Sequence, residues 1–301
     1  MKGRLPTLAA VLALLAASPA CATSDAGEGL AEAVLGAPAD QQLFLLRGEL
    51  VQGGLIRGAA PVGSKVRIDG YELPVTIDGH FVFGFDRDYQ GTAHLEVTAA
   101  DGKVETRELE VKPRAFAIQR IDGLPPEKVT PLAPEVLARI AHERAEKDAA
   151  RPAASELSDF TEPFIWPLKG PITGVYGSQR VLNGEAKQPH YGVDVAAPVG
   201  TPVVAPAGGV VTLAEPDMYY EGGLLFIDHG HGLISAFMHL SSIEVKVGDR
   251  VKQGDVIAAV GATGRVTGAH LDWRMYWRAA HIDPALLVPA MEDTRAEAVG
   301  E

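Results

Sequence analysis

The sequence is poor in three things. It holds one cysteine, Cys21, in 301 residues. A lone thiol closes no internal disulfide, so the fold must rest on its core. Basic clusters are missing too: 27 Lys and Arg stand against 39 Asp and Glu, for a net charge of −12, and the cations gather nowhere into a block. That argues against a nucleic acid partner, because phosphate binding needs clustered Lys and Arg. The third lack is a long apolar run. Leu8 to Ala17 is uninterrupted, but ten residues fall well short of the ~20 a membrane-crossing helix needs, and no later segment comes closer.

What is present is ample for a folded protein. Apolar residues make up 47% and charged residues 22%, enough to bury a real core in one large or two modest domains. With 33 Gly and 21 Pro the chain is turn-rich, which favours a mainly β protein.

The apolar run near the start has the layout of an export signal. Lys2 and Arg4 precede it, small residues follow, and Ala20-Cys21-Ala22 fits a cleavage site, giving a signal peptide over 1–22. Cleavage removes two of the 27 cations and none of the 39 acids, so the mature charge is −14. Cys21 either leaves with the signal or is acylated, which would tie the protein to a membrane; Ser18 and Pro19 are poor company for a lipidated cysteine. The expected location is the periplasm or cell envelope.

Five further segments follow. Residues 23–41 read as a linker with a helical leaning around Ala31 to Leu35. Over 42–113, alternation at Val66/Ile68, Phe81/Phe83/Phe85 and Leu95/Val97, with turns at Asp69-Gly70, Asp78-Gly79 and Asp101-Gly102, predicts an immunoglobulin-like β-sandwich. His80 and His94 there read as plain strand residues. Residues 114–158 read as a helical linker, with a rigid turn at 121–126 and a helix over 134–151. Its expected apolar stripe is Val136, Ile140 and Ala141, with Glu143, Arg144, Glu146 and Lys147 in solvent and Pro152 as the stop. Over 159–290 the pattern returns to β, with strands at 203–204, 210–211, 224–227, 233–238, 245–247, 256–260 and 270–275. The tail over 291–301 reads as loose.

Six of the nine histidines fall between 190 and 281. Imidazole is a common ligand of transition metals, and histidine mixed with carboxylate suits zinc. In His190-Tyr191-Gly192-Val193-Asp194 a flat strand would part the two end residues by roughly 13 Å, too far for one ion, so the chain must fold back, which Gly192 permits. In His270-Leu271-Asp272 the outer pair share one strand face about 6.6 Å apart, with Leu271 turned to the core. His239, in Met238-His239-Leu240, ends an apolar strand. The glycine-rich stretch 261–268 lacks the Lys-Ser/Thr ending of a phosphate-binding loop, which excludes nucleotide binding of that kind. His229 and His231 read as loop residues near a cleft rim, His281 and Trp273/Trp277 as structural, and Tyr219 and Tyr220 as a possible groove lining.

Taken in order, His190-x-x-x-Asp194, Met238-His239-Leu240 and Gly264-Arg265-Val266-Thr267-Gly268-Ala269-His270-Leu271-Asp272 resemble the signatures of the lysostaphin/LytM-type zinc metallopeptidases, which are peptidoglycan endopeptidases. The resemblance covers about 160–290 and includes Val203-x-Ala205-Pro206-x-x-Gly209 and Val247-Gly248-Asp249-x-Val251-x-x-Gly254-Asp255. The 44–145 region is also similar to an N-terminal module that accompanies this domain elsewhere. The resemblance implies a LytM-type antiparallel β-sheet domain with Zn2+ held by His190, Asp194 and Asp272. It makes His239 and His270 the catalytic pair, which orients and deprotonates the attacking water and stabilises the oxyanion.

Asp272 departs from the family pattern, which has histidine there. A carboxylate can bind zinc, but it adds a negative charge that should make the attacking water less acidic. Either Asp272 is a working ligand of an active peptidase on peptidoglycan peptides, or the domain is degenerate and binds the wall or activates an amidase or another wall hydrolase. A lipoyl- or biotinyl-carrier reading of the 201–211 and 247–260 hairpins fails, since neither Lys246 nor Lys252 sits at a matching hairpin tip.

Overall fold

The computed structural model describes residues 34–35, 42–122, 133–151 and 155–291. The expected signal peptide with Cys21, most of the 23–41 linker, Pro152 and the tail from 292 lie outside the described residues. No helix among the described residues is long and apolar enough to cross a membrane.

Two four-stranded antiparallel sheets come first. One runs β1 (Val34–Leu35), β2 (Leu45–Arg47), β3 (Leu55–Ala59), β6 (His80–Gly84); the other runs β5 (Tyr71–Leu73), β4 (Lys65–Ile68), β7 (Thr92–Thr98), β8 (Val104–Glu110). The alternating residues meet as expected: Val66, Ile68, Phe81, Phe83, Phe85, Leu95 and Val97 share one core. Within the expected linker, Val34–Leu35 pairs with β2 and so joins the first sheet.

Residues 114–158 are not purely helical. Strand β9 (Ile118–Ile121) pairs in parallel with β11 (Gln179–Leu182), which also carries β12 (Glu185–Ala186). A pairing across so many residues leaves no local periodicity to read. Helix α1 (Pro134–Ala149) forms where expected, and Pro134 at its start forgoes only an N–H that the first turn leaves unpaired. Its covered face keeps Val136 and Ile140 of the expected stripe, both half-buried, and differs at two positions. Ala141 is exposed and Glu143 is the buried residue, at 6% exposure. The helix docks through polar hooks: the Glu143 carboxylate accepts from Arg139 and the Tyr219 N–H, and Lys147 reaches Glu221. A carboxylate is tolerated inside once donors occupy its oxygens.

The remaining strands form one ten-stranded sheet. Its main path is β10 (Ile172–Gly174), β13 (Gly192–Ala196), β20 (His270–Trp277), β17 (Leu233–Ile243), β16 (Gly222–Gly230), β15 (Gly209–Met218) and β18 (Arg250–Val251). Strands β14 (Pro202–Val204), β19 (Val256–Val260) and β21 (Ala280–Ile282) complete it off this path. Residues 245–247 are loop rather than strand, because Lys246 and Asp249 close a turn on each other there. The apolar runs of β16 and β17 are continuous because both faces are covered. Leu225, Ile227, Leu233 and Phe237 enter one core while Leu224, Phe226, Ile234 and Met238 enter another.

The two β regions are joined by packing. Leu55 and Val82 of the first region belong to the main core of the second, beside Ile282. Arg114 pairs with the buried Asp283 at 2.8 Å, and Arg87 donates to the Gly177 carbonyl at 2.9 Å.

Candidate metal centre

Strands β13 and β20 carry the acidic half of the site. His270, Asp272 and Arg274 alternate along β20 and share one face, while Leu271, Trp273 and Met275 enter the main core, as expected for Leu271. The antiparallel register sets Asp194 opposite Asp272 and Gly192 opposite Arg274. Gly192 was expected to let the chain fold back. It instead begins β13, and its use is space: a Cβ there would overlap Asp272 Oδ1 and Arg274 Cγ. Gly174 on β10 leaves the same room for Asp194 Oδ2.

His190 reaches the carboxylates from the segment preceding β13. Its N–H donates to the Ser178 carbonyl at 2.8 Å and its own carbonyl accepts from Gly177 N–H at 2.7 Å. The Nδ1 atom faces the Val175 carbonyl at 3.3 Å, which turns Nε2 inward to 3.0 Å from Asp194 Oδ1 and 3.5 Å from Asp272 Oδ2.

One ligand atom from each of His190, Asp194 and Asp272 lies within 4.8 Å of the others. Ligands about 2.0–2.2 Å from a tetrahedral ion stand roughly 3.3–3.6 Å apart, so the 3.5 Å spacing matches zinc and the 3.0 Å one would open by a few tenths of an ångström to admit it. The donor set, one imidazole and two carboxylates, also suits that ion. Burial disfavours a charged His190, yet the carboxylates of Asp194 and Asp272 override it and hold its pKa up at about 10. A cation at this position therefore competes with a proton. For Asp272, burial would raise the pKa, but the Arg274 guanidinium and His190 hold the carboxyl far below the usual range.

The two remaining histidines flank this cluster with their rings 4.9 Å apart. His239 adopts a left-handed backbone, φ 64°, and its N–H donates to the Glu221 carbonyl at 2.8 Å. Its Nδ1 lies 3.0 Å from the Thr263 carbonyl, and His270 Nδ1 lies 2.9 Å from that of Gly268. A carbonyl only accepts, so each Nδ1 carries a proton and each Nε2 is left to face the cluster. Burial pushes the His239 pKa down, against the pull of Asp272, which keeps the ring neutral near pH 7. His270 Nε2 is 3.7 Å from Asp194 Oδ1. Beside them, the Tyr219–Tyr220 turn sits against the loop carrying Arg265, whose guanidinium lies over the Tyr220 ring.

All five predicted site residues come together, and the other histidines stay away. His229 and His231 are not at a rim: they are 0% and 3% exposed, at the far end of the β16–β17 hairpin from His239. His229 sits between the Gly208 carbonyl at 2.6 Å and Ser235 Oγ at 2.7 Å, and His231 packs on Phe160. His281 stacks on Tyr191 and meets Asp86 of the first β region at 3.1 Å. Sequence reasoning missed Arg274, although its i+2 spacing from Asp272 on a strand was the available signal. It also missed Glu221, whose place depends on α1.

Comparison with known proteins points the same way. The model of peptidase family M23 matches residues 188–284. The cell division protein DipM of Caulobacter vibrioides is 34% identical over 148 residues, 47% of this chain and 24% of DipM. Peptidoglycan DD-endopeptidase ShyC of Vibrio cholerae is 41% identical over 103 residues, 34% of this chain and 23% of ShyC. The chain thus spans roughly a quarter of the length of these curated relatives. A solved Pseudomonas aeruginosa protein assigned to peptidase M23 aligns with a TM-score of 0.57 at 32% identity, over 79% of this chain and 95% of that one.

Proposed function

We propose, from the premise that this chain belongs to peptidase family M23, that it is an exported zinc-dependent endopeptidase that hydrolyses peptide bonds in peptidoglycan stems or cross-links. The observation that carries the reading is the assembly of His190, Asp194 and Asp272 at ion-binding distances beside two histidines whose Nδ1 atoms are held by backbone carbonyls. The similarity to ShyC, a peptidoglycan DD-endopeptidase, supports the substrate class.

His190, Asp194 and Asp272 would hold the ion. Zinc, when bound, supplies Lewis-acid polarisation of the scissile carbonyl and activation of water. His239, neutral and presenting Nε2, accepts the proton of the attacking water. His270 stands on the other side with Nε2 3.7 Å from Asp194 Oδ1; a proton carried on that nitrogen would be donated to the tetrahedral oxyanion. The carbonyls of Thr263 and Gly268 keep both rings from turning as the proton moves. On this reading the described chain divides into a β module over 42–113, a connecting segment over 114–158 and the peptidase domain over 159–290, and the protein works in the periplasm or cell envelope.

The second reading is a non-catalytic protein that binds the wall or activates another hydrolase. One observation favours it: Arg274 already occupies both oxygens of Asp272, so the cluster has a cation of its own. Digestion of purified sacculi, with muropeptides resolved by mass spectrometry, separates the two. Loss of cross-linked species that is abolished both by a chelator and by His239→Ala is expected of the peptidase. No change in any sample, with folded protein and added zinc, would favour the second reading.

A further inference from the structure

Asp272 is 2% exposed and is gripped by a neighbour on its own strand. Arg274 Nε lies 3.1 Å from Oδ1 and 3.0 Å from Oδ2, and Nη2 lies 2.6 Å from Oδ2. The backbone is adapted to this pair, since the residue opposite Arg274 is Gly192 and any side chain there would collide with both members. Glu221, which Lys147 of α1 holds in place, adds a smaller negative influence on Arg274 beside that of Asp272.

The charge count gives the pair a meaning. One neutral imidazole and two carboxylates bring two negative charges to a divalent ion, whereas two imidazoles and one carboxylate bring one. The guanidinium is permanently cationic and restores the smaller total. It also takes lone pairs on both oxygens of Asp272, which leaves that carboxylate able to give an ion a single bond rather than chelate it.

We infer that Arg274 completes the metal centre as a charge-compensating and positioning residue, so that Asp272 and Arg274 together act toward a divalent cation as one neutral ligand. The inference rests on the metallopeptidase reading and adds a requirement to it. Residues 272 and 274 must be changed together. A histidine at 272 is then not a repair, because it strands a guanidinium beside the ion.

The test measures zinc affinity by competition with a chromophoric chelator, using the full chain as wild type, Asp272→His, Arg274→Gln and the double variant. Circular dichroism checks folding, and the zinc-induced rise in Tm gives a second readout. Asp272→His alone is expected to bind zinc at least roughly tenfold more weakly than wild type, and adding Arg274→Gln to it is expected to recover at least roughly tenfold. A purely structural role for Arg274 would not reverse sign in this way. If Asp272→His does not fold, Asp272→Asn with and without Arg274→Gln gives the same comparison, with the weaker affinity expected where Arg274 remains. The inference is overturned if Asp272→His matches or exceeds wild type and is indifferent to Arg274→Gln. Wild type that is folded yet takes up no zinc overturns the metallopeptidase reading and this inference with it, which distinguishes the two failures.

Discussion

The ten-stranded sheet and its connecting segments carry two groups of histidines that the chain treats in opposite ways. His190, His239 and His270 meet two carboxylates, and each is aimed by a backbone carbonyl at Nδ1 so that Nε2 faces its neighbours. His229 and His231, near the turn of the β16–β17 hairpin, are buried among aromatic rings, and both nitrogens of His229 are engaged by Gly208 and Ser235. The histidine count is no guide to chemistry here; what matters is whether a ring keeps a nitrogen for something else. In the first group the Nε2 atoms turn toward the carboxylates and one another, His190 already meeting Asp194 there, and in the second none of His229's nitrogens remains.

Substitutions can break this contrast, beginning with the largest effect. His190→Ala should remove a ligand outright and abolish both zinc uptake and sacculus hydrolysis, as metal analysis beside the muropeptide assay would report. His239→Ala should separate the two properties, keeping zinc while hydrolysis falls roughly 10²–10⁴-fold, the usual range for a lost acid/base group. Gly192→Ala should push on the Asp272–Arg274 pair and weaken zinc binding by roughly tenfold or more without touching a ligand.

The buried group should respond only in stability. His229→Ala should leave zinc content and activity per folded molecule unchanged and cost about 2–4 kcal/mol in denaturant unfolding, from a cavity and two stranded partners. Burial pushes the His229 pKa down to about 4, against the opposing pull of the Gly208 carbonyl. The folded protein therefore refuses a proton that the unfolded chain accepts near its ordinary pKa of about 6.5. The stability this ring contributes is whole above that pH and is lost as pH falls toward 4, by roughly 3 kcal/mol. His229→Gln should flatten that limb of an unfolding-against-pH curve.

Much of this was legible in advance because strands report their faces. Alternation along Phe81/Phe83 and Leu95/Val97 marked one core, and His270-x-Asp272 marked one face of β20 with Leu271 behind it. The failures share a cause: periodicity says which way a residue points but not what comes to cover it. Glu143 looked solvated until the 219–221 turn packed on α1. His229 looked like a rim residue until Phe164 and Ser235 closed over it. Arg274 stood at the right spacing to pair with Asp272, yet nothing local showed that Gly192 would clear the space between them. Strand β9 was hidden because its partner lies in another part of the chain.

The most direct measurement is zinc content by mass spectrometry of metal-loaded, dialysed protein, with wild type compared against His190→Ala and His229→Ala. The account predicts one ion per chain in wild type and in His229→Ala, and none in His190→Ala. Zinc retained by folded His190→Ala, or missing from folded wild type, would contradict it.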